Sequence, residues 1–251
     1  MVDVAREANV ALRTVSRFVN GDPTVGEQLA ERVRQAIANL EYQPDERARQ
    51  LRSGATGTIG AAVRNISDAH PVLRAVEEAA RDVGMTVVAM STEDDELRER
   101  DAVMSMCRRR MDGIIIEPIA DNHQYLQPEI DAGLPVVAFD RPATGVVVDT
   151  VLSDNRGGIE LAFKHLIERG HRRIAYIGDD ERIYTGRQRA TAFRACAKAH
   201  GSRIEGMVHP GPVEPARIAA ALAQIRGTRW PATAIITGNA ATTAHVIRQL
   251  G

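Results

Sequence analysis

The sequence predicts an α/β protein with a small all-α head followed by two tandem lobes, each built on a doubly wound parallel sheet. Three observations carry that prediction. Residues 1–43 read as all helix, with apolar side chains recurring at helical spacing. From Thr58 onward, short β-branched runs alternate with helical stretches. That alternation restarts after "TVLSDN" at 150–155, so the α/β pattern occurs twice. A chain of 251 residues has room for two such lobes and a head, at roughly 100–200 residues per domain.

In the head, Val4, Ala5 and Ala8 mark a short first helix, and Val15, Phe18 and Val19 mark a second over Leu12–Asn20. Leu29, Val33, Ala36, Ile37 and Leu40 recur at the period of a third. Asn9 separates the first two and tolerates the left-handed backbone of a tight turn. "NGDP" at 20–23 stops the second helix with Gly and then Pro. The head is read as residues 1–43. A hinge follows over 44–57, where Pro44 opens a helix of one to two turns and Ser53, Gly54 and Gly57 close it.

The first lobe, 58–152, reads "TIGAAV", helix 71–83, "MTVVAM", helix 95–110, "GIIIEP", helix 124–132 and "PVVAFD". The second, 153–251, reads helix 156–169, "RIAYIGD", helix 186–200, "GMVHPG", helix 215–225, "TAIITGN" and helix 240–249. A helix after the last strand normally leads to another strand, so a further C-terminal portion is expected.

Composition narrows the function classes. Hydrophobic residues make up 44% and charged residues 26%, ordinary for a globular protein, while aromatics are only 4%. The net charge of -1 provides no global attraction for nucleic acid, so any such binding must be local. Cys107 and Cys196 have no metal-ligand spacing and read as reduced thiols. His165 and His171 lie six residues apart across a helix end and fit capping better than metal binding. No apolar run approaches the ~18 residues of a membrane span, and no signal-peptide pattern opens the chain. A cytoplasmic protein without membrane contact is expected. No G-x-S-x-G, P-loop, metal constellation or G-x-G-x-x-G marks an enzyme, and neither metal nor cofactor is expected.

The stretch "NVALRTVSRFVNG" at 9–21 asks for a more specific reading. A helix–turn–helix reader needs a tight turn and a second helix with an apolar inner face and base-reading side chains near its start. Val15 and Val19 supply the inner face; Leu12, Arg13 and Arg17 point outward. Arginine forms two hydrogen bonds with guanine or a charge-assisted contact with phosphate, and the hydroxyls of Thr14 and Ser16 suit phosphates. Residues 1–54 hold eight arginines against eight acidic residues, so the same pattern also fits a solvated helix face.

"VDVAREANVALRTVSRFVN" and "VRQAIANLEYQPDERARQLRSGATGTIG" resemble the head and hinge of the LacI family of bacterial transcriptional regulators. "AFDRP", "VLSDNRGGIELAFKHLIERGHRRIAYIGD" and "TAIITGN" resemble that family's effector-binding core, of the type shared with periplasmic binding proteins. The resemblance implies a repressor that binds pseudo-palindromic double-stranded operator DNA as a homodimer in the bacterial cytoplasm. It implies control by a small metabolite, most often a sugar. Leu12, Arg13 and Arg17 match base-reading positions. The hinge segment "RARQL" folds on DNA in such proteins, and Leu51 matches a residue that wedges into the minor groove. Asn20 and Ala48 complete the candidate DNA-binding set. This chain departs from the family pattern at Ala11, where a capping Ser is usual, at Asn9 for Gly, at Asp45 for Asn, and at Leu29 for a hydroxyl residue. Each departure predicts weaker DNA affinity.

The two lobes should form a ligand cleft near the carboxyl ends of their strands. Asp140 ends "VVAFD", Asn239 ends "TAIITGN", and Arg189 lies in "TGRQRATAF". All three match effector-binding positions of the family. A carboxylate, an amide and a guanidinium together bond adjacent hydroxyls as acceptors and donors. The aromatic residues common near such clefts are missing from "RNISDAHPVLRAVEEAA" and "HPGPV", so a sugar should lack its usual stacking surface.

Overall fold

A computed structural model describes residues 1–43, 54–66, 71–201 and 207–250. The chain divides into two units, Met1–Thr58 and Ile59–Gly251. Among the described residues no helix is long and apolar enough to cross a membrane.

The first unit holds three helices, α1 (Val2–Glu7), α2 (Leu12–Val19) and α3 (Glu27–Asn39). Their inner faces meet in a core of Val4, Ala5, Ala8, Val15, Val33 and Ala36, with Val10, Phe18, Val19, Ile37 and Tyr42 around it. Asn9 makes the turn between α1 and α2 at φ +49°, the left-handed backbone its side chain tolerates. The turn is clamped from α3: Arg32 Nη2 donates to the carbonyls of Ala8 at 2.6 Å and Asn9 at 2.7 Å. Gly21, at φ +70°, follows α2 where a β-carbon would be strained.

In the second unit, β1 (Thr58–Val63), β2 (Thr86–Ser91), β3 (Gly113–Ile116), β4 (Val136–Phe139) and β5 (Asp149–Val151) form one sheet in the order β2-β1-β3-β4-β5. A second sheet has the order β7-β6-β8, from β6 (Ile174–Ile177), β7 (Val208–His209) and β8 (Ala234–Thr237). The strands of β1/β3, β3/β4, β4/β5, β6/β7 and β6/β8 run parallel. Between them lie α4 (Pro71–Asp82), α5 (Glu96–Arg108), α6 (Gln127–Asp131), α7 (Asn155–Glu168), α8 (Tyr184–Ala199), α9 (Pro215–Gly227) and α10 (Ala240–Leu250). The inner strands β1, β3, β4 and β6 are largely buried, nearly continuous apolar runs, whereas β2 and β5 at the edges are partly or fully exposed. Met106, Ile114, Ile116 and Leu126 anchor one core, and Phe163, Tyr176 and Phe193 another.

The helix expected over 124–132 is divided. A 3-10 turn, Gln124–Leu126, precedes α6, whose first turn holds Pro128. Proline has no N–H to continue an earlier helix and is accommodated only where a new one begins.

The first lobe also buries a polar cluster. Glu99 and His123 are fully buried, with His123 Nε2 at 3.1 Å from Glu99 Oε1. The Tyr125 hydroxyl donates to the same oxygen at 3.1 Å, and the amides of Ile119 and Ala120 donate to Oε2 at 2.5 and 3.3 Å. Burial alone would raise the Glu99 carboxyl; these partners outweigh it and hold the group below its usual range. The cluster pins the chain after β3 and so the wall of the cleft described next.

Candidate functional site

The structure contains two candidate sites, one in each unit. In the head, α2 buries Val15 completely and turns Leu12, Arg13, Arg17 and Asn20 to solvent, with Thr14 and Ser16 half-buried along its flanks. Arg17 does not extend freely. Its Nε donates to Asp22 Oδ2 at 2.8 Å, and its Nη2 donates to the Thr24 hydroxyl. The hydroxyl of Thr24, then Arg17, then the Thr24 amide hold the Asp22 carboxyl well below the usual carboxylate range. An exposed pair of this kind contributes less than a two-bond guanine contact, so a duplex can take Arg17 from Asp22. Ala48 and Leu51 lie outside the described residues.

Ala11 occupies the N-cap of α2 in extended conformation, φ -65° and ψ 146°, with no side-chain cap. Ala11→Ser should therefore raise the stability of the head by about 0.5–2 kcal/mol. Thermal unfolding of the head transition, followed by circular dichroism, measures this; an unchanged midpoint contradicts the cap reading.

In the second unit a cavity of about 300 Å³ opens at the carboxyl ends of the strands, at the low end for a ligand pocket. Asp140, Arg189 and Asn239 all line it, together with Arg64, Glu117, Arg141 and Asp179. Phe139 is the one aromatic among its described lining residues.

Each polar side chain is placed by its element. Asp140 follows β4 in a three-residue turn in which Arg141 N–H bonds Phe139 O at 2.7 Å, with Asp140 at φ +64°. Such turns are strained, and strain of this kind gathers at functional positions. Asn239 caps α10 by accepting from Thr242 N–H at 2.7 Å, while its amide group donates to Asp179 Oδ1. Arg189 projects from α8 and donates to Asn155 Oδ1 at 2.7 Å and Gly238 O at 2.6 Å. Its Nη1 also lies 3.5 Å from Asp179 Oδ2. Burial pushes the Asp179 carboxyl up, against the pull of Arg189, Arg64, Arg141 and Arg217. Tyr176 fills the space beneath: a β-carbon on Gly178 would meet its Oη at 2.2 Å, so the strand end must be glycine.

Sequence reading missed Asp179, Arg64 and Glu117. Arg64 directly follows β1, Glu117 directly follows β3, and Asp179 lies two residues after β6. The strand-end rule that selected Asp140 and Asn239 reaches them as well. Among the described residues no group of three His, Cys, Asp or Glu side chains is placed to hold a metal. His171 Nδ1 instead sits 2.9 Å from the Thr233 hydroxyl.

Comparison with known proteins places these sites in a family. Residues 56–250 match the periplasmic binding proteins and sugar binding domain of LacI family, and residues 1–45 match the bacterial regulatory proteins of the lacI family. The chain is similar to the HTH-type transcriptional regulator EndR of Paenibacillus polymyxa, 30% identical over 95% of this chain and 72% of that protein. It is also similar to the ribose operon repressor of Halalkalibacterium halodurans, 34% identical over 76% of this chain and 57% of that one. The chain thus spans between about half and three quarters of the length of these relatives. Among solved structures, the lac repressor dimer bound to operator and the anti-inducer ONPF shares the fold, with TM-score 0.81, 21% identity, and 99% of this chain and 76% of that one covered. The CelR–cellobiose complex aligns with TM-score 0.65 and 26% identity, over 99% of this chain and 76% of that chain. The chain, with its helical head and two parallel-sheet lobes, belongs to the LacI family of bacterial regulatory proteins.

Proposed function

We propose that this protein is a sequence-specific DNA-binding transcriptional repressor of the bacterial cytoplasm, and not an enzyme. A small metabolite, a sugar, held in the cleft of the second unit sets its operator affinity. The observation that carries this reading is α2: a helix that buries Val15 completely and packs Phe18 and Val19 against the head's core, while its outer edge presents Leu12 and Arg13 to solvent. Arg13, Arg17 and Leu12 read base edges in the major groove; Thr14, Ser16 and Asn20 contact the backbone. One short helix covers only a half-site, so two copies bind a pseudo-palindrome. Residues 44–57, with Ala48 and Leu51, form the hinge, and Leu51 wedges into the minor groove. The effector-binding residues are Asp140, Arg189 and Asn239. Its relatives' names support the reading: a ribose operon repressor by sequence, and a cellobiose complex by structure.

Selection of duplexes from a random DNA library with the purified protein tests it. The expected product is one inverted repeat, with recovery changed by a pool of sugars. Recovery of unenriched sequence contradicts the proposal.

A further inference from the structure

The cleft's ionic groups are arranged to balance. Three guanidinium groups line it, Arg64, Arg141 and Arg189, and three carboxylates, Glu117, Asp140 and Asp179. Each cation stands beside one of the anions. Arg64 Nε lies 3.7 Å from Glu117 Oε1, Arg141 Nε 3.4 Å from Asp140 Oδ2, and Arg189 Nη1 3.5 Å from Asp179 Oδ2.

The Arg64–Glu117 pair and Asp179 stand where strand order reverses, the crevice in which α/β sheets bind ligands. β1 has β2 on one side and β3 on the other, and Arg64 and Glu117 follow β1 and β3. β6 lies between β7 and β8, and Asp179 and Asn239 follow β6 and β8.

Resting on the effector reading above, we infer that this cleft takes an uncharged polyhydroxylated ligand and discriminates against phosphorylated or acidic sugars, with Asp179 and the Arg64–Glu117 pair setting that selection.

A phosphate or carboxylate is bound by surplus guanidinium groups or by the open amides of a helix start. The described lining has no surplus of cations. Two of the helix starts beside it are engaged by the chain itself: Asp154 accepts from Gly157 N–H at 2.8 Å in α7, and Asn239 accepts from Thr242 N–H in α10, whereas the start of α8 at Ile183 has no side-chain cap. A dianion would meet Glu117 and Asp179, which are 3% and 9% exposed, in surroundings where water screens poorly. A diol meets no such repulsion, because each pair offers it one acceptor and one donor.

Asp179 also carries a cost. Burial pushes its carboxyl upward despite the nearby arginines, so asparagine would be easier to keep there. A carboxyl kept inside a pocket at the expense of its burial marks a functional position.

The test is calorimetric titration of the full chain with D-ribose, D-galactose, D-fructose and cellobiose, and with ribose 5-phosphate, fructose 1-phosphate, galacturonate and inorganic phosphate. The expected result is binding of a neutral sugar at least tenfold tighter than its phosphorylated or acid form. Asp179→Asn should narrow that ratio at least tenfold. Glu117→Gln, the second variant should the first fold poorly, should narrow it in the same direction. Tighter binding of the charged forms by the natural chain overturns the inference, as does a ratio that both variants leave unchanged. Silence of every compound, with cooperative unfolding and duplex binding intact, overturns the effector reading itself and the inference with it.

Discussion

Arg189→Met lowers the stability of the two-lobed unit by about 3–5 kcal/mol, the cost of leaving a buried charge without its partner, and abolishes stabilisation by any cleft ligand. The side chain is fastened at both ends of its guanidinium, to Asn155 and to the Gly238 carbonyl, and it faces Asp179. Methionine keeps the length and removes every one of these bonds. The loss has a pH signature. The folded Asp179 carboxyl titrates above its usual value because it is buried, and without Arg189 it rises further. A group raised in the folded state contributes stability below its unfolded value, and that contribution is lost as pH increases through the folded one. The deficit of Arg189→Met is therefore largest at neutral pH and shrinks as the solution is acidified into the carboxylate range. Adding Asp179→Asn restores part of the loss at neutral pH. Denaturant unfolding of the single and double variants at several pH values reads both effects. A deficit independent of pH and untouched by Asp179→Asn contradicts the coupling.

Arg13→Ala costs about 1–3 kcal/mol at one base pair of each half-site, the discrimination of a two-bond guanine contact. Arg13 is exposed on the first turn of α2, where base-reading side chains of this motif project. Binding to duplexes substituted at each position in turn separates the roles. Loss confined to one position marks base reading; equal loss at every position marks a phosphate contact. Thr14→Ala and Ser16→Ala should show the second pattern.

Much of this was legible in the sequence for physical reasons. Short β-branched runs and period-3.6 patterns place strands and helices because burial selects them, and Asn9 and Gly21 mark backbone that few residues adopt. Asp140, Arg189 and Asn239, chosen at strand ends and in a helix, line one cavity. Asp179, Arg64 and Glu117 were passed over because a carboxylate or guanidinium beside a strand ordinarily marks an exposed loop. Only the sheet order brings them to the reversal points. The tie between Arg17 and Asp22 was hidden for another reason. It depends on how the chain folds back after α2, and the spacing of charges along a helix does not report that.

The proposal that two copies of α2 read paired bases meets its most direct test in one measurement: affinity for the selected duplex against a scrambled duplex of equal length at the same salt concentration, with protein bound per duplex counted. The account predicts a ratio on the order of 10³ or more, with two protomers on each selected duplex. A ratio near one, or a single protomer bound at saturation, contradicts it.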